Sequence, residues 1–262
     1  MFKLLILPFL IFFFSQSQTN HESIFPLQQD TLQYKTIPFY RDSKDCKNCK
    51  VRVHFVYPKI LHARTFAVRD SLNKEIRDFM FGSVYTGKET ESPEDIFQNM
   101  VQEYDTLLKK FPRYPQNIKW YLYRNVKIIH HTSDYISVVM NENVFTGGAH
   151  PLSTRFYNSY DNRTGHRLNL NEIIKPGMMD SLLSVSEKIF RSTRSISPDS
   201  TLGQAGFWFD NNRFTLNNNF ALSSKGLVFY YNPYEIAPYA WGPTQFIIPR
   251  DKVKRFLKSP YQ

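Results

Sequence analysis

IKWYLYRNVKIIHHTSDYISVVMNENVF, residues 118–145, holds two long β-prone runs around one polar turn. Ile118 to His130 and Tyr135 to Phe145 are rich in aromatic and branched side chains, which suit a pleated, half-buried surface. Thr132-Ser133-Asp134 supplies the turn between them. Downstream, Arg155 to Tyr160 continues the pattern, and Asp161-Asn-Arg-Thr-Gly165 makes a hairpin turn into Arg167 to Leu170. Upstream, Val51-Arg-Val-His-Phe-Val-Tyr57 alternates in the same way and is closed by Pro58.

Between the first strand and the central pair the period changes. Val68, Leu72, Ile76, Phe79 and Met80 recur at helical spacing, which predicts a helix over 65–81. A second helix opens at Ser92, with Pro93 in its first turn and Asp95 completing a capping-box pattern. Its buried stripe runs from Phe97 through Met100, Tyr104 and Leu108 to Phe111, and it ends before Pro112. Toward the C-terminus, Asn171 is expected to cap a helix running to about Arg191, and residues 192–206 read as loop. Phe214 to Leu222, Leu227 to Tyr231 and Thr244 to Ile248 read as closing strands, with a short basic helix from Asp251. Helices bunch early and strands follow as hairpins. The expected class is α+β: an antiparallel β-sheet with helices packed on one face, in two consecutive subdomains.

The N-terminus points to export. Met1-Phe2-Lys3 carries one positive charge and is followed by an apolar run from Leu4 to Phe14, then Ser15-Gln16-Ser17. A membrane span needs about 20 apolar residues, so a cleaved signal peptide over 1–17 is expected, with no stable membrane anchor and a periplasmic or extracellular destination. Residues 18–50 read as an extended polar arm. It contains both cysteines of the chain, Cys46 and Cys49. A tetrahedral zinc site would need two further ligands at suitable spacing. Outside the cell a small-loop disulfide between them is the expected outcome. The net charge of +10 suggests anionic surroundings. Nucleic acid is not expected as a partner, because the basic residues are scattered and the chain is exported.

Two segments differ from ordinary core or turn. Phe145-Thr-Gly-Gly-Ala-His-Pro151 places Gly147 and Gly148 at a strand end, where paired glycines allow positive φ and a close backbone approach. Their amides could meet an oxygen-rich ligand, with His150 as acid, base or hydrogen-bond donor; equally, the segment could be a bulged turn whose histidine satisfies a carbonyl. Phe229-Tyr-Tyr-Asn-Pro-Tyr-Glu-Ile-Ala-Pro-Tyr-Ala-Trp-Gly-Pro243 is a rigid aromatic loop after a strand. Tyr234, Pro238, Tyr239 and Trp241 offer rings and edges for sugars or protein interfaces, or they could pack the loop over the sheet. Glu235, the only charge in that loop, must be solvated, paired or functional.

The TGGAHP segment and the later FYYNPYEIAPYAWGP segment together resemble the extracytoplasmic domain of RsiV-type anti-sigma factors. They are also similar to the non-catalytic N-terminal portion of PdaC-type peptidoglycan deacetylases. YNSYDNRTGHRLNL, residues 157–170, fits the same pattern, and VRVHFVYPKI, residues 51–60, resembles the smaller domain that precedes it. The resemblance covers roughly residues 50–250. It implies a PdaC-like N-terminal subdomain over 51–145, an RsiV-like C-terminal subdomain over 146–262, and recognition of a lysozyme through the Tyr234 to Tyr239 loop. Trp241 departs from the pattern, which usually has a small residue there. RsiV-type factors also carry a spanning helix and a cytoplasmic segment where this chain has its leader, so sigma-factor regulation is not expected.

Catalytic signatures do not accompany the resemblance. A metal-dependent deacetylase needs a carboxylate and two histidines at helical spacing, and histidines 21, 54, 62, 130, 131, 150 and 166 include no such pair. His130 and His131 fall on opposite faces of a strand. No GxSxG nucleophile elbow occurs, and no metal or cofactor is expected. Three functions remain. The first is a non-catalytic envelope module binding cell-wall glycan or a lysozyme-like protein. The second is a hydrolase of wall polymer using His150 and Glu235. The third is a structural accessory subunit recognisable by an apolar surface patch.

Overall fold

A computed structural model describes residues 32–43, 51–82, 92–115 and 118–262. The leader, most of the arm, and Cys46 with Cys49 lie outside the described residues. The chain is α+β with two sheets. The first contains β1 (Gln33–Asp42), β2 (Val51–His62), β3 (Trp120–His131), β4 (Tyr135–Phe145) and β5 (Leu152–Asp161), in that spatial order. The second contains β6 (Phe220–Ser223), β7 (Gly226–Tyr231) and β8 (Thr244–Pro249). β4 and β5 are hydrogen-bonded neighbours, so the first sheet continues past residue 145.

One pair departs from the antiparallel expectation: β2 and β3 are parallel. The helices α1 (Phe66–Phe81) and α2 (Pro93–Lys110) lie between them in the chain, and such a crossover returns the next strand in the same direction. Pro58 does not close its strand as expected. β2 leaves β3 after Val56, so Pro58 has β1 as its only strand neighbour, an edge position that tolerates a missing N–H. Residues 33–42 of the arm form the edge strand β1 against β2.

Both early helices begin at side-chain caps. The Thr65 hydroxyl accepts from the Val68 amide, and the Ser92 hydroxyl accepts from the Asp95 amide with Pro93 in the first turn. Val68, Leu72, Ile76 and Met80 of α1 and Met100 and Tyr104 of α2 are buried against Val53, Phe55, Leu122 and Ile136 of the sheet. The helix expected from Asn171 is instead two. Asn169 caps α3 (Leu170–Ile173) in a reciprocal capping box with Glu172, and α4 (Met179–Thr193) begins beyond Pro176-Gly177. Arg167 makes only an isolated bridge to Tyr160, and residues 214–219 precede β6 without joining it. The chain closes with α5 (Arg250–Val253).

The layers run helix, sheet, sheet, helix. Opposite α1 and α2, Val139 of β4 and Tyr157 of β5 pack on Ala221, Val228 and Tyr230 of the second sheet. That sheet's other face buries Leu227, Phe229, Phe246 and Ile248 against Leu182 and Phe190 of α4. Phe190 is fully enclosed by Phe207, Phe209, Phe214 and Phe246, with ring centroids 5.0–6.3 Å away. This concentration of aromatic area, worth more per residue than aliphatic packing, anchors the small sheet.

The second sheet also seals the free edge of β5. The Asn219 and Asn232 Oδ1 atoms accept from the Tyr157 and Arg155 amides at 2.7 Å, and both Nδ2 groups donate to the Arg155 carbonyl. Two side-chain amides thus take the place of a sixth strand. Because the second sheet reaches only the Val139–Tyr157 end, the rest of that face stays open.

Candidate functional site

The register of the first sheet places side chains of several strands in rows on the open face. Tyr40, His54, Tyr123, Asn143 and Ser153 occupy one row across all five strands. Pro38, Val56, Asn125, Asn141 and Arg155 form the next. On the other side of the first row lie Asp42, Arg52, Tyr121 and Phe145. A groove of about 460 Å3 runs over the two inner rows, with Tyr230 of the second sheet forming part of its wall.

Aromatic rings cross this face in contact. Tyr40 meets His54 edge-on at 5.0 Å, His54 lies 5.3 Å from Tyr123, and Tyr123 stacks on Tyr121 at 4.8 Å and 15°. The strip then reaches Phe145, 6.0 Å from Tyr121, where the glycine segment begins. Burial raises the Tyr121 phenol above its ordinary value, helped by Tyr123 and Tyr239, so that ring is uncharged at neutral pH. Asp42 at the far end is also partly buried, which raises its carboxyl. The hydrogen bonds from Arg52 at 2.8 Å and His54 at 3.0 Å outweigh that and hold it below the usual carboxylate range.

The two segments singled out in the sequence meet at the near end. His150 lies flat on Tyr239, 3.6 Å between centroids and 12° between planes. Its Nε2 is 3.2 Å from the Tyr234 hydroxyl, and its Nδ1 donates to the Pro151 carbonyl at 3.1 Å. A carbonyl only accepts, so Nδ1 carries a proton, and Nε2 shares a hydrogen bond with the Tyr234 hydroxyl. The Tyr239 hydroxyl donates to the same Pro151 carbonyl at 2.6 Å. Tyr234 adopts φ of 67° and is 53% exposed. A non-glycine residue in that region carries strain, and such positions concentrate at functional sites.

The remaining candidates lie apart from this stacked pair. Gly147 has φ of 97°, and a Cβ there would collide with the Tyr114 hydroxyl; Gly148, at φ of 102°, has open space around it. Glu235 accepts from the Asn232 amide at 2.7 Å and from Asn217 Nδ2 at 2.6 Å, so each carboxylate oxygen closes part of the loop. Pro238 begins a single 3₁₀ turn, its carbonyl accepting from the Trp241 amide. Trp241 turns to another surface, against Phe207 and over Gly206, with the Arg194 guanidinium 6.0 Å from its ring. Gly206 leaves the space that this large ring fills. Among the described residues, no group of three His, Cys, Asp or Glu side chains gathers around a common point. No described helix is long and apolar enough to cross a membrane.

Residues 43–153 match the family model Deacetylase PdaC. Residues 171–251 match a second model, a protein of unknown function, DUF3298. The rows of the open face thus come chiefly from the PdaC-like segment, and Tyr234 and Tyr239 come from the DUF3298-like segment. The immunogenic proteins MPB64 of Mycobacterium bovis and MPT64 of Mycobacterium tuberculosis are each 27% identical over 136 residues, 46% of this chain and 51% of theirs. Peptidoglycan-N-acetylmuramic acid deacetylase PdaC of Bacillus subtilis is 23% identical over 137 residues, 52% of this chain and 29% of that protein. The chain therefore spans about half the length of its mycobacterial relatives and less of the deacetylase. Two crystal structures of DUF3298 family proteins share the fold. The one from Bacteroides fragilis has a TM-score of 0.68 at 22% identity and covers 88% of this chain and 96% of its own. That from Pseudomonas aeruginosa has 0.62 at 17%, covering 89% and 97%.

The sequence reading missed His54, Tyr121, Tyr123 and the asparagines between them. Their signal was the period of two in β3, where Tyr121 and Tyr123 alternate with buried Leu122 and Arg124.

Proposed function

We propose that this chain is an exported, non-catalytic module of the bacterial envelope whose open sheet face binds cell-wall glycan. The observation that carries this reading is the strip Tyr40–His54–Tyr123–Tyr121 beside a groove of amide and hydroxyl side chains. Sugar rings present apolar C–H faces and hydroxyl edges, and such a surface offers a partner for each. The Bacillus relative, a deacetylase of peptidoglycan N-acetylmuramic acid, supports a wall polymer as the ligand. The leader over 1–17 supports the same compartment.

A protein partner of the lysozyme type has one observation in its favour. Tyr234 stands exposed at the tip of its loop, held by His150 and backed by Tyr239 at 5.4 Å. A hydrolase built on His150 and Glu235 has less support, because both Glu235 oxygens are occupied by Asn217 and Asn232.

The test is titration of the purified chain with N-acetylglucosamine oligomers and soluble peptidoglycan fragments, followed by calorimetry and amide chemical shifts. Saturable binding is expected, with shifts confined to the open face of β1–β5 and the 146–151 loop. Tyr123→Ala should weaken it about tenfold, which is ~1.4 kcal/mol. Shifts centred on residues 233–241 with a lysozyme and none with saccharide would favour the protein partner instead.

A further inference from the structure

The groove contains a cation with no counter-ion among the described residues. Arg155 projects into it from β5, and the contacts that hold its guanidinium are all neutral. Nε donates to Asn141 Oδ1 at 2.7 Å, and Nη1 donates to Gln245 Oε1 at 3.2 Å. Gln245 is in turn steadied by the Tyr157 hydroxyl at 3.1 Å. The Tyr230 and Tyr157 rings lie 5.1 and 6.0 Å from the guanidinium carbon. The only carboxylate among the groove's described lining residues is Glu142, and it is committed to Arg124 at 2.7 Å in a pair turned toward the helices. His54, the histidine of the lining, is bound to Asp42.

A guanidinium has five N–H donors in a fixed plane. Two of them are used here, so three remain without a protein acceptor among the described residues. Aromatic flanks and amide acceptors fix the plane without neutralising it, which is the arrangement that suits a bidentate carboxylate. Charge and planarity are thus both supplied in advance of the ligand.

We propose that Arg155 makes the groove selective for carboxylate-bearing saccharides over neutral ones, taking the sugar's acid group against its free N–H edge. The sugar's ring faces lie along Tyr123 and His54, and its hydroxyl and acetamido groups meet Asn125, Asn141 and Asn143. This rests on the glycan reading above and adds the class of sugar. The carboxylate could belong to the lactyl ether of muramic acid or to a peptide stem attached to it, and both present the same group to Arg155.

The experiment compares three ligands on the full mature chain. They are the N-acetylglucosamine tetramer, the peptide-free tetrasaccharide alternating N-acetylglucosamine with N-acetylmuramic acid, and its peptide-bearing counterpart. The expected result is at least tenfold tighter binding of an acidic ligand than of the neutral tetramer, with the difference shrinking as salt rises. Selectivity for the peptide-free acidic sugar assigns the lactyl group; selectivity confined to the peptide-bearing one assigns the stem. Arg155→Gln should bring the acidic-to-neutral ratio to about one, and Arg155→Lys should leave it intermediate, with melting temperatures near the parent's showing that both fold. Equal binding of all three ligands, unchanged in Arg155→Gln, overturns the selectivity while leaving the glycan reading standing. No binding of any of them overturns both.

Discussion

His150 rests face to face on Tyr239 at 3.6 Å, and through this contact the glycine segment after β4 is tied to the aromatic loop after β7. The Tyr239 hydroxyl adds a 2.6 Å bond to Pro151 across the same joint. Tyr239→Phe removes only that bond and should cost about 1 kcal/mol. Tyr239→Ala also removes the stacked ring, and its expected cost is about 2–3 kcal/mol. Urea unfolding of both variants measures the difference, and equal stability of the two would show that the ring contact contributes nothing.

The Arg124–Glu142 pair is nearly out of water, with side chains 5% and 17% exposed. Arg124 also donates to the carbonyls of Met80 and Gly82, fastening the end of α1 to the sheet. Glu142→Ala leaves a buried cation with only those carbonyls and should destabilise by about 3 kcal/mol. Replacing both residues with methionine should recover most of the loss, because two desolvated charges are removed together. Guanidinium titrations of the single and double variants decide this; a double variant no more stable than the single would refute it.

Asn219 and Asn232 substitute for a neighbouring strand along β5. Each alanine substitution exposes an unsatisfied amide at the junction of the sheets, at about 1–3 kcal/mol apiece. Hydrogen exchange provides the local readout. The Arg155 amide should lose protection in Asn232→Ala, and the Tyr157 amide in Asn219→Ala. Unchanged protection at both would mean that these bonds do not persist in solution.

Asp161 organises the turn after β5, its Oδ1 accepting from the Arg163 and Thr164 amides at 2.8 and 2.9 Å and from the Thr164 hydroxyl at 3.1 Å. Partial burial raises its carboxyl, but those hydrogen bonds prevail and the net shift is downward. A carboxyl depressed in the folded state contributes stability above its unfolded value, about 3.9. That contribution is lost as pH falls through the lower folded value. The melting temperature should therefore drop on acidification below about pH 4, and Asp161→Asn should flatten that part of the profile. A profile of the same slope in the variant would assign the effect to another group.

Much of the architecture is legible in the chain because its signals are local. β4 runs from Tyr135 to Phe145 as its composition predicts, and α2 begins at the Ser92 cap. The break between α3 and α4 also has a local mark, Pro176-Gly177, which the longer apolar period overrides in a sequence reading. The parallel pairing of β2 with β3 has no local mark, since it depends on where two helices deposit the next strand. Glu235 shows the same limit on the side of chemistry. Its position in an aromatic loop is compatible with catalysis or with capping, and only the placement of Asn217 and Asn232 separates them.

By itself, then, the sequence determined the α+β class, the helix starts, the central strands, and the two segments that meet at His150 and Tyr239. Tertiary structure alone decided that they meet. It also decided that Tyr121 and Tyr123, rather than their buried neighbours on β3, face the open groove, and that Arg155 stands there without a counter-ion among the described residues. The physical reason is that periodicity divides a strand's side chains between two faces without saying which face the helices will cover. That choice follows from packing between elements far apart in the chain, where burial area and unsatisfied amides settle the matter together.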